Sequence, residues 1–324
     1  MQEGYSCGMT KFCTPSSQFQ SQFKVSIVGC GNVGATAAYA MLLAGITTEL
    51  VLVDHSKDRA HGLMLDFEHA LSFLPATKVV ASDDYSACAN SQVIFITAGA
   101  KQVEGETRLQ LIKKNSEIFE DIIPKIAMAA PNSILVIVSN PVDILTYKTL
   151  KLSKFPKNRV FGSGTMLDSA RFKFHISEKL CLNPHSIEAY ILGEHGDSSF
   201  PVFSSANVSG KPLFDFEGFD RKVADTCYDE TKNAAYRIIH DIGFTCYSIG
   251  TVMMEIASAI KQNSRIVVPL SVFVENYYGV NDVAMSVPCV LDGSGVSEVI
   301  EVPLNEIEVA QLQSSAKLLK SYIG

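Results

Sequence analysis

Phe23–Gly34 reads FKVSIVGCGNVG. A short apolar run rich in β-branched residues ends in Gly29-Cys30-Gly31-Asn32-Val33-Gly34, a G-x-G-x-x-G string. An Ala-rich helical stretch follows from Ala35 to Ala44, then a second strand-like run from Glu49 to Val53. Asp54 closes that run, 20 residues after Gly34. Gly-rich turns are common, so the string alone says little. Strand before, helix after and an acidic residue at this distance together describe a dinucleotide-binding βαβ unit. The first glycine permits the tight turn, the second lets a pyrophosphate approach the backbone, and the third lets helix and strand pack closely. The helix N-terminus then offers its unpaired amides to the phosphates. Asp54 can accept both ribose hydroxyls and would repel a 2′-phosphate, which favours NAD over NADP. Lys57 and Arg59 soften that preference without reversing it.

Outward from this unit, strand-length runs alternate with helical patterns. Lys78–Ala81, Gln92–Thr97 and Ile134–Val138 read as strands, and Arg108–Ala130 as a long helix. Apolar strands alternating with helices predict an α/β fold with a doubly wound parallel sheet. After about residue 163 the rhythm loosens: a helix over Met166–Lys179, a strand over Ile187–Leu192, hairpin-like runs near 200–214, and helical patterns over 220–262. Strands near 266–274 and 284–291 lead to a terminal helix over Leu304–Tyr322, a mixed α+β region. The expected organisation is an N-terminal arm or tail (1–22), a dinucleotide-binding domain (23–163) and a substrate/catalytic domain (164–324).

The net charge of −7 argues against a nucleic-acid partner, which selects for basic surfaces. The eight cysteines are scattered, without a C-x-x-C pair or a Cys/His cluster at metal spacing, so no metal is expected. Free thiols and the lack of a signal-like or membrane-length apolar run point to the cytoplasm and to no membrane partner.

Polar density concentrates in four places. Asp168 and Arg171 share a face of one predicted helix. Glu194-His195-Gly196-Asp197 follows a strand. Arg108 opens the long helix, and Asn140-Pro141-Val142-Asp143 follows a buried-type strand. Reduction of a 2-keto acid needs these residue types: a guanidinium for the carboxylate, a cation and a proton donor for the carbonyl oxygen, and a carboxylate to orient the donor. Taken singly, each has a plainer reading. Asp168 and Arg171 could be a surface ion pair, Arg108 a solvated helix residue, and His195 one of seven histidines.

Taken together, GCGNVG with Asp54, AGAKQVEGETR (98–108), VSNPVD (138–143), GSGTMLDSARF (162–172) and LGEHGDSS (192–199) closely resemble the L-lactate dehydrogenase family, from about Phe23 to the C-terminus. The resemblance implies a Rossmann-type first domain and reduction of pyruvate to L-lactate by NADH. It makes His195 the proton donor and acceptor, Asp168 its partner, Arg171 the carboxylate clamp and Arg108 the carbonyl polariser. Gln102, Asn140 and Thr245 would also bind substrate. The cofactor would lie on Gly29, Gly31, Val33, Gly34 and Asp54, with Tyr85, Gly99, Ala100 and Lys101 near the adenosine half and pyrophosphate. Val138, Asn140, Ser163 and Ile249 would surround the nicotinamide. Asn140–Pro141 is expected to be cis.

Three departures from the family pattern stand out. Lys101 replaces a common Arg. Tyr247 replaces a common Trp in a chain without any Trp. Lys173 and Glu188 replace the Arg and His that bind fructose 1,6-bisphosphate in allosteric bacterial members. A homo-oligomer, most often a tetramer, is implied as well. Malate dehydrogenase of the same family is the rival reading, and a non-catalytic NAD-binding or crystallin-like structural protein is the rival of a different class.

Overall fold

The computed structural model describes residues 22–100, 105 and 107–323. The arm at 1–22, apart from Gln22, and the two loop positions Lys101 and Gln102 lie outside the described residues. The first half runs β1 (Lys24–Val28), α1 (Asn32–Leu43), β2 (Glu49–Val53), α2 (Lys57–Ala70), β3 (Lys78–Ser82) and β4 (Val93–Ile96). It continues with α3 (Arg108–Ala129), β5 (Ile134–Ile137), α4 (Val142–Ser153) and β6 (Val160–Gly162). Strands β1 to β6 pair in parallel in the order β3-β2-β1-β4-β5-β6. The strand order reverses between β1 and β4, which opens a crevice at their C-terminal ends. Strand β4 is buried at all four residues because helices cover both faces of the sheet.

The second half holds α5 (Met166–Leu180), β7 (Ile187–Leu192), β8 (Phe200–Val208), β9 (Lys211–Pro212), α6 (Arg221–Ile242) and α7 (Tyr247–Gln262). Next come β10 (Ile266–Val274), β11 (Val283–Asp292), β12 (Gly295–Val299) and α8 (Glu306–Ile323). Strands β7, β8 and β9 form a separate antiparallel sheet. Strands β10 to β12 extend the first sheet to nine strands, joined to β6 through the single register pair Ser271↔Gly162.

Three elements are additional to the sequence expectation. The helical patterns over 220–262 are borne out as two helices, α6 ending where Gly243 takes a left-handed conformation (φ 82°). Helix α4 and strands β6 and β12 are additional elements. Strand β6 is too short to carry a clear alternation, and β12 has a GVSEV sequence, buried at its first two residues and exposed at the other three, that does not alternate either.

Candidate active site

The glycine turn fits its sequence reading closely. Gly29 has φ 104°, and a Cβ built on Gly34 would lie 2.1 Å from the Gly29 carbonyl oxygen, so only glycine permits this helix–strand approach. Gly31 faces open space and is the N-cap of α1, with no side chain capping the helix and no acidic residue in its first turn. Those amides are available to a pyrophosphate.

Asp54 emerges from β2 almost fully buried. Its Oδ2 accepts the Cys30 N–H at 2.7 Å and its Oδ1 the Ser56 N–H at 2.9 Å, so it also pins the glycine turn. A cleft of about 950 Å³ runs from Gly29, Gly31 and Asp54 past Tyr85 to Gly99 and Ala100. Arg59 lines it beside Asp54. Val33 lies on α1, Val138 and Ser163 follow β5 and β6, and Ile249 lies on α7.

The second cluster comes from α5, α6 and the turn after β7. Asp168 stands in the first turn of α5, where the helix dipole favours a carboxylate, and Arg171 follows one turn on. Asp168 Oδ2 meets His195 Nδ1 at 2.6 Å, while Oδ1 accepts from Arg171 Nη1 at 3.2 Å. With Nδ1 so engaged, Nε2 is the imidazole nitrogen left for a reacting group. A pocket of about 140 Å³ is lined by Asp168, Arg171, His195 and Tyr228.

Burial alone would push the His195 pKa down. The charge and hydrogen bond of Asp168, with the charge of Asp143, outweigh it and hold the pKa above the ordinary histidine value. Burial likewise opposes ionisation of Asp168, but His195 and Arg171 pull its pKa below the usual carboxylate value. Each partner thus favours the charged form of the other, as suits a proton donor with its orienting base.

Asn140–Pro141 is cis, as the sequence predicts. Asn115, buried on α3, donates to the Asn140 carbonyl oxygen at 2.7 Å and accepts the Ala100 N–H at 2.7 Å. It thereby joins the start of the 98–108 loop to the strand end. Asp143 accepts the His195 N–H at 2.7 Å and the Ser271 hydroxyl at 2.6 Å. Burial pushes the Asp143 pKa up, against those two hydrogen bonds. Arg108 ion-pairs with Glu194, the residue before His195. Thr245 sits in the connection between α6 and α7.

Sequence reasoning gave no role to Asn115, Ser271 or Ser315, nor to Asp143 and Glu194 inside their motifs. For Asn115 a signal exists: it lies on the apolar stripe Leu111, Ile112, Phe119, Ile122 of α3, a position that buries an amide.

The crevice and the half-buried His–Asp pair define a nucleotide-dependent oxidoreductase scaffold. Residues 23–162 match the NAD-binding domain of the lactate/malate dehydrogenases and residues 165–324 their α/β C-terminal domain, so the chain belongs to that family. Its cofactor is NAD. The chain is 41% identical over 306 residues to an L-lactate dehydrogenase of Clostridium botulinum (strain Loch Maree / Type A3), covering 93% of this chain and 96% of that one. It is 44% identical over 302 residues to the L-lactate dehydrogenase B-B chain of Danio rerio, covering 91% and 90%.

Among solved structures, a lactate dehydrogenase from a Medee basin deep-sea metagenome library superposes with a TM-score of 0.90 at 39% identity, covering 94% of this chain and 98% of that one. The minor L-lactate dehydrogenase of Enterococcus mundtii, in a ligands-bound form, superposes with a TM-score of 0.90 at 37% identity, covering 93% and 98%.

Proposed function

We propose that the chain is an NAD-dependent L-lactate dehydrogenase, reducing pyruvate to L-lactate and running the reverse reaction. The observation that carries this is the convergence of His195, Asp168 and Arg171 on one small pocket, with Arg108 anchored beside it. NADH, when bound, supplies the hydride. Arg171 pairs the substrate carboxylate, and Arg108 and Asn140 stabilise the negative charge growing on the carbonyl oxygen. His195 Nε2 delivers the proton to that oxygen, and Asp168 stabilises the imidazolium beforehand. In lactate oxidation the same nitrogen receives the proton.

Lys101 and the adenosine-side residues hold the cofactor in this reading, and Val138, Ser163 and Ile249 its nicotinamide end. Thr245 and Gln102 border the substrate. The two domains meet at 163/164 in this reading, and the chain acts as a homo-oligomer, a tetramer being favoured. No described helix is long and apolar enough to cross a membrane. The cytoplasm is the proposed compartment.

A steady-state assay with NADH and either pyruvate or oxaloacetate tests the function. The expected kcat/KM for pyruvate exceeds that for oxaloacetate by at least ~10²-fold, about 2.7 kcal/mol of discrimination. Preference for oxaloacetate would make the protein a malate dehydrogenase, and no turnover of either would leave a binding or structural role.

A further inference from the structure

Glu194 has no exposed surface at all (0%), although it directly precedes the proton donor. A carboxylate so buried needs partners for both oxygens. Oε2 accepts the Ser198 hydroxyl at 2.5 Å and the Ser198 N–H at 3.3 Å. Oε1 accepts from Arg108 Nη2. The backbone on either side is fixed. Gly193 exchanges two hydrogen bonds with Ser286 of β11, at 3.1 and 2.8 Å, and the Glu194 N–H donates to Ser315 Oγ of α8 at 2.8 Å.

The carboxylate therefore cannot follow the guanidinium. If the two separate, Arg108 enters water and Glu194 remains a buried charge held by Ser198. Two further contacts shape the seat. The Arg108 guanidinium carbon lies 5.7 Å from the centroid of the Tyr322 ring on α8. A Cβ built on Gly196 would lie 3.0 Å from Arg108 Nη2 and 3.0 Å from Glu194 Cδ, so a larger residue there would push the pair apart.

We propose that Glu194 is a positioning residue whose buried carboxylate seats the Arg108 guanidinium beside His195. The carbonyl-polarising cation and the proton donor are thus registered through adjacent residues of one turn. This rests on the role given to Arg108 under the proposed function. The contact uses one terminal nitrogen of a group with five N–H donors, which leaves the remainder of the fork to the substrate. The burial of Glu194 draws the N-terminal end of α3 onto the site before substrate arrives, so less ordering remains when it binds.

The test is a double-mutant cycle in 2-keto-acid reduction with wild type, Glu194→Gln, Arg108→Gln and the double variant. Glu194→Gln keeps the shape and one acceptor oxygen but loses the charge. Its kcat/KM for pyruvate should fall by roughly 10-fold to 100-fold, the scale of a misplaced catalytic group. NADH affinity, read from the cofactor's own fluorescence, should be unchanged. In the Arg108→Gln background the same substitution should cost nothing further.

Losses that multiply across the cycle would show a merely structural Glu194 and overturn the proposal. A faster Glu194→Gln enzyme would overturn it too, since it would mean that the carboxylate holds Arg108 away from the substrate. Gly196→Ala is the second probe should Glu194→Gln fail to fold. Its loss should likewise vanish in the Arg108→Gln background, and a persistent loss counts against the proposal. The coupling is read with whichever 2-keto acid the wild type reduces, so a wrong substrate and a wrong role for Glu194 give different results.

Discussion

The nucleotide crevice and the proton-transfer pocket lie side by side but are built differently. The crevice is made mostly of backbone: a glycine turn, the uncapped start of α1, and one carboxylate that binds two neighbouring amides. The glycine turn, the start of α1 and Asp54 lie within a few dozen residues of each other. The pocket is made of side chains brought from far apart. Asp143 and His195 are 52 positions apart, Ser271 and Asp143 128, and Ser315 and Glu194 121. A backbone site tolerates side-chain change and fails when a Cβ intrudes. A side-chain site fails when a single charge or donor is lost.

This contrast is broken most severely at His195. Replacing it by Gln should lower pyruvate turnover by ~10²–10⁴-fold and leave NADH binding intact, because the crevice uses none of the pocket's charges. Loss of both together, measured by cofactor fluorescence and steady-state rates, would show that the two regions are not separable.

Gln102 comes next. In the proposed function Gln102 borders the substrate as a neutral residue, offering a second carboxylate no countercharge, and an unpaired buried carboxylate is costly. Gln102→Arg should move the pyruvate/oxaloacetate preference by on the order of 10²-fold toward oxaloacetate. An unmoved ratio would remove the charge-balance argument for lactate over malate.

The third prediction concerns pH. The His195 pKa is raised: burial opposes the charged form, but Asp168 and Asp143 more than offset it. Pyruvate reduction needs the imidazolium, so its rate persists as pH rises through the ordinary histidine value and falls only above the raised one. Lactate oxidation needs the neutral ring and falls as pH drops through the raised value. Asp168→Asn removes the strongest raising partner, so both limbs should move to lower pH. The loss in rate should be roughly 10-fold to 100-fold, as for other carboxylate partners of functional histidines. pH–rate profiles that stay in place would show that Asp168 only holds position.

The smallest effect is expected outside both regions. Lys173 Nζ and Glu188 Oε2 stand 3.8 Å apart, and Glu188 has the wrong sign for a phosphate. Fructose 1,6-bisphosphate should leave the pyruvate KM unchanged, and a clear fall in KM on adding it would contradict this.

The same contrast explains what the sequence reveals. The strand, glycine turn, helix and Asp54 are consecutive, so periodicity and spacing suffice to read the crevice. The motifs around Asp168, His195 and Asn140 are visible one by one. Their junctions are not, because hydrogen bonds such as Asp143 to Ser271 depend on β10 extending the first sheet. Helix α4 begins directly after Pro141 and carries four β-branched residues, Val142, Ile144, Thr146 and Thr149, which weaken its helical signal. Strand β6 has three residues, all buried, and so shows no alternation. Strand β12 is announced only by the Gly293-Ser294 turn that separates it from β11.

The far reach of the pocket's supports also orders events during synthesis. Strands β1 to β5 and Asp54 are complete once residue 137 has left the ribosome. The groups that hold the catalytic turn, Ser271, Ser286 and Ser315, are among the later residues to emerge. Domains fold as units and from the N-terminus as they are made. The residues of the nucleotide crevice are thus synthesised well before those that brace the proton donor, and a chain clipped ahead of Ser315 has lost the anchor on α8 of the turn bearing His195.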